Sequence, residues 1–308
     1  MTIPRNPHFI SAGEAVTDMI TTGPNQWHSK AGGAPWNVAR ILGSWAWPTA
    51  FLGAISQDSF GDAIYQASKQ AHLDLRFLQR YPKPPLLAMV HQIQPPAYFF
   101  IGGDSADLYF DPSQLPENWQ SEVQWAHFGG ISLARPPLAQ TLLSLAQDLK
   151  QRGVKISYDP NYRIVMDEAY DPMLEAMCQL ADVIKVSDED LYGLMRTKSP
   201  IAAMARLRAI NPEAAILHTM GADGARILHR ENEWRAKPPA IKVIDTIGAG
   251  DASAAGLLFS LMQAEQRGWD EHLRIAVAAG AAACLHAGAT VPTLAKVQQV
   301  LQRMPFSR

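Results

Sequence analysis

Two kinds of hydrophobic pattern alternate along most of the chain. Short, nearly continuous apolar runs are followed by longer segments in which apolar residues recur with the period of a helix. Continuous runs are typical of strands buried on both faces of a parallel sheet, and the longer segments are typical of the connecting helices. The pattern therefore predicts an α/β protein. The predicted strands are residues 8–12, 49–55, 123–128, 154–158, 182–186, 214–219 and 241–244. The predicted helices are residues 35–42, 61–71, 138–151, 174–180, 201–210, 251–265, 273–285 and 294–303.

The alternation fails in two segments. Residues 16–28 and 86–110 have strand-like patterns in succession without a helix between them, and Pro95 and Pro96 interrupt the second segment. We expect these segments to form a small β-sheet over the mouth of the main sheet, a lid built from about residues 14–30 and 86–111. The lid is predicted to be inserted in a single α/β domain that spans residues 1–308.

The charge balance narrows the classes of partner. The 308 residues include 27 Lys and Arg against 29 Asp and Glu, which gives a formal net charge of −2. Such a chain presents no net positive field to nucleic acid or to an anionic membrane surface. We therefore expect neither as a partner.

The cysteines and the longest uncharged segment indicate in which cellular compartment the protein is expected. Cys178 and Cys284 are far apart and lack Cys-x-x-Cys spacing, so neither a disulfide framework nor a zinc knuckle is indicated. The N-terminal segment lacks the basic start and apolar stretch of a signal peptide. Residues 275–295 are uncharged, but their Ala and Gly content favours a buried helix over a membrane span. We expect a cytoplasmic protein.

The most informative segment runs from Ile241 to Asp251. A predicted strand leads into the turn Gly248-Ala249-Gly250 and then into a helix. Small residues in such a turn let backbone N–H groups point outward at the positive end of the helix dipole, where an anion such as phosphate can bind. Asp251 could accept the proton of a hydroxyl that attacks a phosphoryl group. An aspartate at this position is also common as a simple helix cap.

Dinucleotide binding is the main alternative for this turn, because Gly248-x-Gly250-x-x-Ser253 nearly matches Gly-x-Gly-x-x-Gly. Its third glycine is a serine, the turn falls late in the chain, and Asp251 would place a negative charge against the pyrophosphate. A kinase instead uses a carboxylate beside the transferred phosphoryl group, so charge placement favours phosphoryl transfer over hydride transfer. The P-loop motif is absent from the sequence.

A second Gly-rich turn precedes a predicted helix near the N-terminus. Gly32 and Gly33 leave room for a ligand to approach the backbone, and Pro35 suits the first turn of a helix. Asn37 lies within about one turn of these glycines and offers both a donor and an acceptor to a polyol. The same residues also suit an ordinary helix start with Asn37 facing solvent.

These two motifs, in this order, resemble the ribokinase-like carbohydrate kinases of the phosphofructokinase B type. Residues 32–39 are similar to the N-terminal signature of that family and residues 245–251 to its C-terminal signature, and the resemblance covers nearly the whole chain. Residues 104–107 and 127–133 are most similar to fructokinases. The resemblance implies a three-layer sandwich with a β-sheet lid. It also implies ATP-dependent phosphorylation of a primary hydroxyl of a monosaccharide, with fructose or a similar keto sugar as the first expectation.

The resemblance implies roles for individual residues in catalysis and sugar binding. The general base would be Asp251, and the anion hole would be formed by Gly248, Ala249 and Gly250. The positions that match sugar-binding residues are Asp18, Gly32, Gly33 and Asn37, with Arg163 reaching the substrate or the transferred phosphoryl group. The alternative for Asp18 is an ordinary residue at a strand end or turn, and the alternative for Arg163 is an exposed surface residue without a role in binding. Tyr98, Phe99 and Phe100 lie in the lid and could cover the sugar, with lid core or a subunit contact as equal alternatives. Of the three, Phe99 is the one we predict to contact the sugar.

The resemblance also places the nucleotide and the cations. Thr219, Gly221 and Gly224 resemble the nucleotide-phosphate loop. Relatives commonly carry Asn-x-x-Glu where this chain has Ser187 and Asp190, a motif that helps to organise Mg²⁺ and phosphate waters. The shorter Asp190 leaves Glu189 as an alternative contact. We expect Mg²⁺ with ATP, because it neutralises the nucleotide oxygens during transfer. Asp245 and the Ile247 carbonyl resemble part of a monovalent-cation site, which implies activation by K⁺.

The sequence thus predicts a sugar kinase whose small-molecule partners are a sugar and ATP. Homodimerisation through the lid is a further expectation from the family, since an exposed sheet edge invites pairing. A 2-keto-3-deoxygluconate kinase or a nucleoside kinase of the same fold stays open, and in the first of these Arg163 would hold a carboxylate. A non-catalytic sugar- or nucleotide-binding protein also stays open, because the segment 187–190 departs from the family pattern.

Overall fold

The computed structural model describes residues 6–92 and 97–305. The strands are β1 (Phe9–Ala12), β2 (Val16–Gly23), β3 (Gln26–Gly32), β4 (Thr49–Ser56), β5 (Leu78–Tyr81), β6 (Leu87–Gln92), β7 (Ala97–Ile101), β8 (Trp125–Gly129), β9 (Lys155–Asp159), β10 (Val183–Ser187), β11 (Ala215–Thr219), β12 (Ala225–His229) and β13 (Asn232–Ala236). The α-helices are α1 (Ala34–Ser44), α2 (Ser59–Gln70), α3 (Leu138–Gln151), α4 (Asp171–Leu180), α5 (Asp188–Met195), α6 (Pro200–Ile210), α7 (Ala249–Gln263), α8 (Trp269–Ala283) and α9 (Leu294–Gln302).

The main sheet has nine strands in the order β13-β12-β11-β10-β9-β8-β1-β4-β5. All neighbours from β11 to β5 are parallel, and β12 and β13 add an antiparallel hairpin at one edge. Strands β1 and β4 are buried along their whole length, which explains why their sequences are mostly apolar. The predicted α/β class with a mostly parallel central sheet is confirmed.

Helices cover both faces of this sheet. Apolar residues of α3, α4, α5 and α6 pack on one face, and those of α1, α7, α8 and α9 pack on the other. Helices α7 and α8 approach closely because their contact is lined with small residues: a Cβ at Gly256 would lie 2.7 Å from the Cβ of Ala279. This close contact accounts for the Ala- and Gly-rich sequence of α8, which was predicted to be a buried helix. No helix within the described ranges has both the length and the hydropathy needed to cross a bilayer.

A second sheet of four strands has the order β3-β2-β6-β7. Strands β2 and β3 form an antiparallel hairpin, β2 and β6 pair in parallel, and β6 and β7 are antiparallel. The sheet therefore unites the two sequence segments predicted to form a lid. Its last strand ends at Ile101, earlier than predicted, and residues 106–109 form a short 3₁₀ helix that contacts β4. Residues 93–96, which fall in the predicted second lid segment, lie outside the described residues.

The structure differs from the sequence prediction in one strand, in several elements that were not predicted and in the starts of some helices. Residues 241–244 are not a strand: residues 237–248 have no regular secondary structure, and Val243 and Ile244 are 54% and 60% exposed. The edge strands β5 and β13, the strand β12 next to β13, and the helix α5 were not predicted, because short or polar elements lack a strong apolar period. Helix α7 begins at Ala249, two residues before the predicted start at Asp251.

Candidate active site

A hydrogen bond between two helices defines the centre of the site. Asp251 lies in the first turn of α7, and its Oδ2 accepts a hydrogen bond of 2.8 Å from Nδ2 of Asn37 in α1. Asn37, which was predicted to hold a sugar hydroxyl, is buried and donates its amide to this carboxylate. The bond fixes the orientation of the predicted base across 214 residues of sequence.

The surroundings of Asp251 favour a proton acceptor. Burial raises the pKa of the Asp251 carboxyl, and the opposing effects of the Asn37 hydrogen bond and of the Lys185 and Arg163 charges do not cancel it. A carboxylate with a raised pKa is a stronger base than an ordinary aspartate, which brings it closer to the range that general-base catalysis requires.

Backbone amides at the start of α7 form a potential anion site. Gly248 adopts φ 81°, a left-handed conformation that suits glycine, immediately before the helix. The Ala249 amide, which was predicted to belong to the anion hole, donates a 3.1 Å hydrogen bond to the Thr246 carbonyl. Within the described residues, the amides of Gly248, Gly250 and Asp251 have no such backbone acceptor. These amides are the ones free to bind a phosphoryl oxygen.

Asp18 and Gly32 meet on the lid side of the site. Asp18 belongs to β2 and Gly32 to β3, and the Asp18 carboxylate occupies the space that a Cβ of Gly32 would need. Burial raises the pKa of Asp18 to about 6, with the charge of Asp251 adding to the effect and those of Arg163 and Lys30 opposing it. The carboxylate and its glycine neighbour are thus positioned together, as the motif predicts.

Gly33 makes the turn from the lid into α1. It adopts φ 113°, and a Cβ there would lie 2.5 Å from the Glu14 carbonyl oxygen and 3.0 Å from the Ala15 Cα. A side chain would therefore both strain the backbone and collide with the strand that enters the lid. The predicted close backbone approach exists, although the group that approaches Gly33 is protein backbone.

Arg163 is part of the site rather than an exposed surface residue. Its Nη1 donates to the carbonyl of Asn161 at 3.0 Å, to Oδ1 of Asn161 at 2.7 Å and to the carbonyl of Tyr162 at 2.6 Å. Its charge acts on both Asp18 and Asp251, and its Cζ lies 5.7 Å from the ring centroid of Tyr98 in the lid. The loop after β9 therefore places the positively charged guanidinium of Arg163 between the lid and Asp251.

The lid aromatic predicted to cover the sugar faces the other way. Strand pairing places Ala88 and Phe100 on the same face as Asp18, so Tyr98 also lies on that face, whereas Phe99 pairs with Met89 on the opposite face. Phe99 is 51% exposed, and its ring lies 5.9 Å from that of His91. Within one chain, Tyr98 and Phe100 lie on the face of the sheet that carries Asp18, and Phe99 does not. The alternation of a strand indicates that Phe99 faces away from its two neighbours, but the sequence does not give the register that decides which face carries Asp18.

The segment that departs from the family motif has a structural role. Ser187 and Asp190 form a capping box at the start of α5, and Asp190 also accepts a 2.7 Å hydrogen bond from the Tyr162 amide. Burial would raise the pKa of Asp190, but Lys185 and the hydrogen bonds from Ser187 and Tyr162 hold it below its usual value. Both carboxylate oxygens are engaged, so the predicted nucleotide contacts of Ser187 and Asp190 compete with contacts already made.

The loop after β11 is open at Gly221. Gly221 and Gly224 adopt φ 55° and 92°, and a Cβ at Gly221 would meet nothing within 4 Å. Thr219 ends the strand next to β10. Gly224 packs against the backbone of residues 236 and 237, where the exposed segment that leads to Gly248 begins. One continuous stretch of chain thus connects this loop to the amides of α7.

Asp245 lies in this stretch, between the loop after β11 and α7, and accepts hydrogen bonds from two backbone amides. Its Oδ1 accepts a 3.1 Å hydrogen bond from the Ile247 amide, and its Oδ2 accepts a 2.6 Å hydrogen bond from the Gly288 amide. Among the described residues, no group of three or more His, Cys, Asp and Glu side chains is arranged to hold a metal ion.

Three buried charged residues near the site were not predicted. Lys185 and Asp159 form an ion pair with 3.1 Å between Nζ and Oδ2. Burial raises the pKa of Asp159 to about 7, with Lys185 opposing and Asp190 and Asp251 adding to the rise. Glu14 is buried and accepts hydrogen bonds from the Ile131 and Ser132 amides. For Lys185 the signal in the sequence is a charged residue inside an apolar run; Glu14 and Asp159 lie in stretches that resemble the family, although no role was predicted for them.

Comparison with known proteins identifies the family. A family profile described as pfkB family carbohydrate kinase matches residues 9–296, which is nearly the whole chain. The chain belongs to the pfkB family of carbohydrate kinases. This carbohydrate kinase is 31% identical to a fructokinase of Rhizobium leguminosarum bv. trifolii over 264 residues, covering 82% of this chain and 79% of the relative.

Two solved structures resemble this kinase over almost its full length. A fructokinase with bound ATP from Xylella fastidiosa has a TM-score of 0.87 at 26% identity, with 96% of this chain and 98% of that one covered. An aminoimidazole riboside kinase from Salmonella enterica, in complex with aminoimidazole riboside and an ATP analogue, has a TM-score of 0.84 at 25% identity. The alignment covers 95% of this chain and 99% of that one. The predicted ribokinase-like architecture and the sugar-kinase class are confirmed.

The motifs most similar to fructokinases contribute buried polar contacts to the fold of this carbohydrate kinase. Asp107 and Arg135 form a buried ion pair that also holds the turn after β7. His127 contacts Ser157 at 3.0 Å, and burial together with Lys185 lowers its pKa to about 3. These residues support the sheet and the base of the lid.

Proposed function

We propose that this kinase phosphorylates fructose, or a similar keto sugar, at a primary hydroxyl with ATP as the donor. The observation that carries the proposal is the Asp251 carboxylate, oriented by Asn37 beside the free amides of Gly248 and Gly250. Asp18 and Arg163 lie close enough for their charges to act on each other, and Arg163 also acts on Asp251. Fructokinases among the relatives support the choice of fructose.

The chemistry proceeds by in-line transfer. Asp251 accepts the proton of the sugar hydroxyl while the hydroxyl oxygen forms a bond to the γ-phosphorus of ATP. The bond from that phosphorus to the bridging oxygen breaks, and its electron pair leaves with ADP. The Gly248 and Gly250 amides stabilise charge on the transferred group, and Arg163 adds a positive charge on the lid side. Asp18 accepts hydrogen bonds from sugar hydroxyls and positions the acceptor.

The nucleotide would bind along the stretch from Thr219 to Gly250. The open turn at Gly221 can receive phosphate oxygens, and the exposed Val243 and Ile244 offer apolar surface to a planar base. Mg²⁺ supplies charge neutralisation to the nucleotide oxygens when it is bound. Asp190 is engaged in the capping box, so Glu189 is the carboxylate we infer to contact its water shell.

A substrate panel tests the proposed sugar. ADP release from MgATP is measured with fructose, 2-keto-3-deoxygluconate, and ribosides that include aminoimidazole riboside, which the similar Salmonella enterica kinase binds. We expect kcat/KM for fructose to exceed that for every other acceptor by about tenfold or more, the discrimination that a few hydroxyl contacts provide. A riboside that exceeds fructose would replace the proposed substrate, and sugar binding without ADP release would favour a non-catalytic binding protein.

The same assay tests the cation expected beside α7. We infer that Asp245 and the Ile247 carbonyl hold a monovalent cation that stabilises the turn before the anion site. Replacing K⁺ by tetramethylammonium at constant ionic strength should lower kcat, because the larger cation cannot enter such a site. Asp245→Asn, which keeps an acceptor oxygen but loses the charge, should weaken the response to K⁺. Equal turnover in the two salts removes the cation from the proposal.

We also infer that the outer face of the lid is the contact of a homodimer. This face carries Trp27, Phe99 and Ile101, which are 41%, 51% and 50% exposed. Phe99→Asp should therefore convert a dimer into a monomer in sedimentation experiments, because a buried charge at a contact is costly. Ile201→Asp, at an 84% exposed apolar position on α6, is the matched control and should leave the dimer intact. A dimer that survives both substitutions contradicts the lid contact.

Two further expectations from the sequence stay predictions. One is a cytoplasmic location, which subcellular fractionation tests. The other is that residues 1–308 form one domain with the lid inserted, for which a single calorimetric unfolding transition is expected.

A further inference from the structure

A lysine is buried in the main sheet directly below the candidate site. Lys185 lies in the middle of β10, and its side chain is only 6% exposed. Burial would lower the pKa of a lysine, but Asp159, Asp190 and Asp251 raise that of Lys185 above its usual value. The ammonium group therefore stays charged in a place where an unpaired charge would be strongly disfavoured.

The contacts of Lys185 exceed what an ordinary ion pair needs. Its Nζ lies 3.1 Å from Oδ2 and 3.3 Å from Oδ1 of Asp159, and 3.7 Å from Oδ2 of Asp190. Asp190 in turn binds the Tyr162 amide, next to Arg163. The lysine thus ties β9, β10 and the Arg163 loop together at the end of the sheet where the site lies.

The position of Lys185 relative to α7 gives it a second role. A Cβ at Gly250 would lie 3.1 Å from Nζ of Lys185 and 3.5 Å from its Cε, so the ammonium group lies against the Gly250 backbone. Gly250 has a negative φ, which means that its lack of a side chain is explained by this contact and not by backbone conformation. A buried positive charge is therefore held behind the amides that face the transferred phosphoryl group.

We propose that Lys185 is an electrostatic positioning residue of the phosphoryl-transfer site, where its ammonium group stabilises both the ionised Asp251 and the negative charge that the Gly250 amide binds. The proposal rests on the proposed function, in which Asp251 is the base. The other groups whose charge or hydrogen bonds act on Asp251 are Asn37 from α1, Arg163 from the loop after β9, Asp18 from the lid, and Asp159 at the end of β9. Lys185 acts on Asp251 from within the main sheet. Its position relative to Asp251 therefore does not depend on closure of the lid.

The pH dependence of kcat tests this role. At saturating sugar and MgATP the bound sugar holds Asp18 in its ionised form, so the acidic limb of kcat reports the base. Lys185→Met should move that limb to higher pH by about one unit or more, because loss of a nearby positive charge makes Asp251 easier to protonate. Lys185→Arg keeps the charge and should keep the limb near its wild-type position.

Asp159→Asn is the control for the ion pair. Burial raises the pKa of Asp159 to about 7, so this carboxyl is largely neutral over the acidic limb and its replacement by an amide should leave the limb near its wild-type position. Lys185→Gln removes the same charge as Lys185→Met but keeps a hydrogen-bond donor; it should move the limb to higher pH and remains informative if Lys185→Met does not fold. A purely structural role for Lys185 would lower kcat in these variants without moving the limb. An acidic limb that stays within about 0.2 pH unit of wild type in the folded Lys185→Met and Lys185→Gln variants overturns the proposal.

The outcome for Lys185 is separable from the outcome for the substrate. If wild-type protein prefers another acceptor to fructose, the proposed sugar fails and the pH series is run with that acceptor. If wild-type protein releases ADP with a sugar but the limb does not move, Lys185 is not a positioning residue and the proposed function stands.

Discussion

Asp251→Asn should bind sugar and nucleotide with nearly normal affinity but reduce kcat by about 100-fold or more. Asparagine has nearly the same shape and can keep a contact to Asn37, so the cleft should retain its geometry. It cannot accept the hydroxyl proton, however, and the attacking oxygen then stays protonated as it approaches phosphorus. Single-turnover kinetics with calorimetric titration of both ligands separate the loss of turnover from any loss of binding.

A matched control distinguishes a base from a helix cap. Asp270 also lies in the first turn of a helix, α8, where it faces the same end of a helix dipole. Asp270→Asn should change kcat less than twofold and lower the free energy of unfolding by about 0.3–1 kcal/mol. If Asp251→Asn behaves like Asp270→Asn, with normal turnover and a small loss of stability, Asp251 is only a cap and the proposed chemistry is wrong.

Asp18→Ala should lower kcat/KM for the sugar by about 100-fold or more. Each hydrogen bond to a charged acceptor contributes about 1.5–3 kcal/mol, and the Asp18 carboxylate can accept two from sugar hydroxyls. Most of the loss should appear in KM for the sugar, with KM for ATP unchanged, because Asp18 belongs to the lid and not to the nucleotide loop. Initial rates with each substrate varied in turn provide the measurement.

The pH dependence of sugar binding should report the same carboxylate. Burial raises the pKa of Asp18 to about 6 in the free protein. Protonation below that pH removes an acceptor, so the affinity for the sugar should fall as the pH drops below about 6. Calorimetric titration of the sugar measures this affinity directly, whereas kcat/KM would also contain the titration of Asp251. Asp18→Asn should retain part of the affinity and lose this inflection. Asp104→Ala, at an acid whose side chain is 62% exposed, is the control and should leave both affinity and pH profile unchanged.

Unchanged sugar kinetics in Asp18→Ala would mean that the pairing of Asp18 with Gly32 serves only the lid. The carboxylate would then fill the space above Gly32 as a packing group. An unfolding experiment would show a loss of stability in that case, whereas the proposed role predicts a larger effect on kinetics than on stability. Burial disfavours the ionised Asp18 carboxylate, which is why its pKa is raised. Replacing Asp18 by alanine removes this unfavourable burial, so we do not expect a strong loss of stability.

The amino-acid sequence alone determined the class of the fold and the chemistry of its two glycine-rich turns. Strands such as β4 are mostly apolar because they are buried on both faces, and this pattern can be detected without knowing any neighbour. The signatures around Gly33 and Asp251 are equally local, since a left-handed turn and a first-turn carboxylate depend on adjacent residues. Family membership, confirmed by the match over residues 9–296, followed from these local signals.

Only the tertiary structure decided which side chains meet. The bond from Asn37 to Asp251, the contact of Lys185 with Gly250 and the rotation of Phe99 away from the site all depend on strand register and helix packing. A shift of one residue in register would exchange Tyr98 and Phe99 between the two faces of the lid. Long-range burial likewise sets the raised pKa of Asp18 and Asp159, because desolvation comes from residues that are distant in sequence.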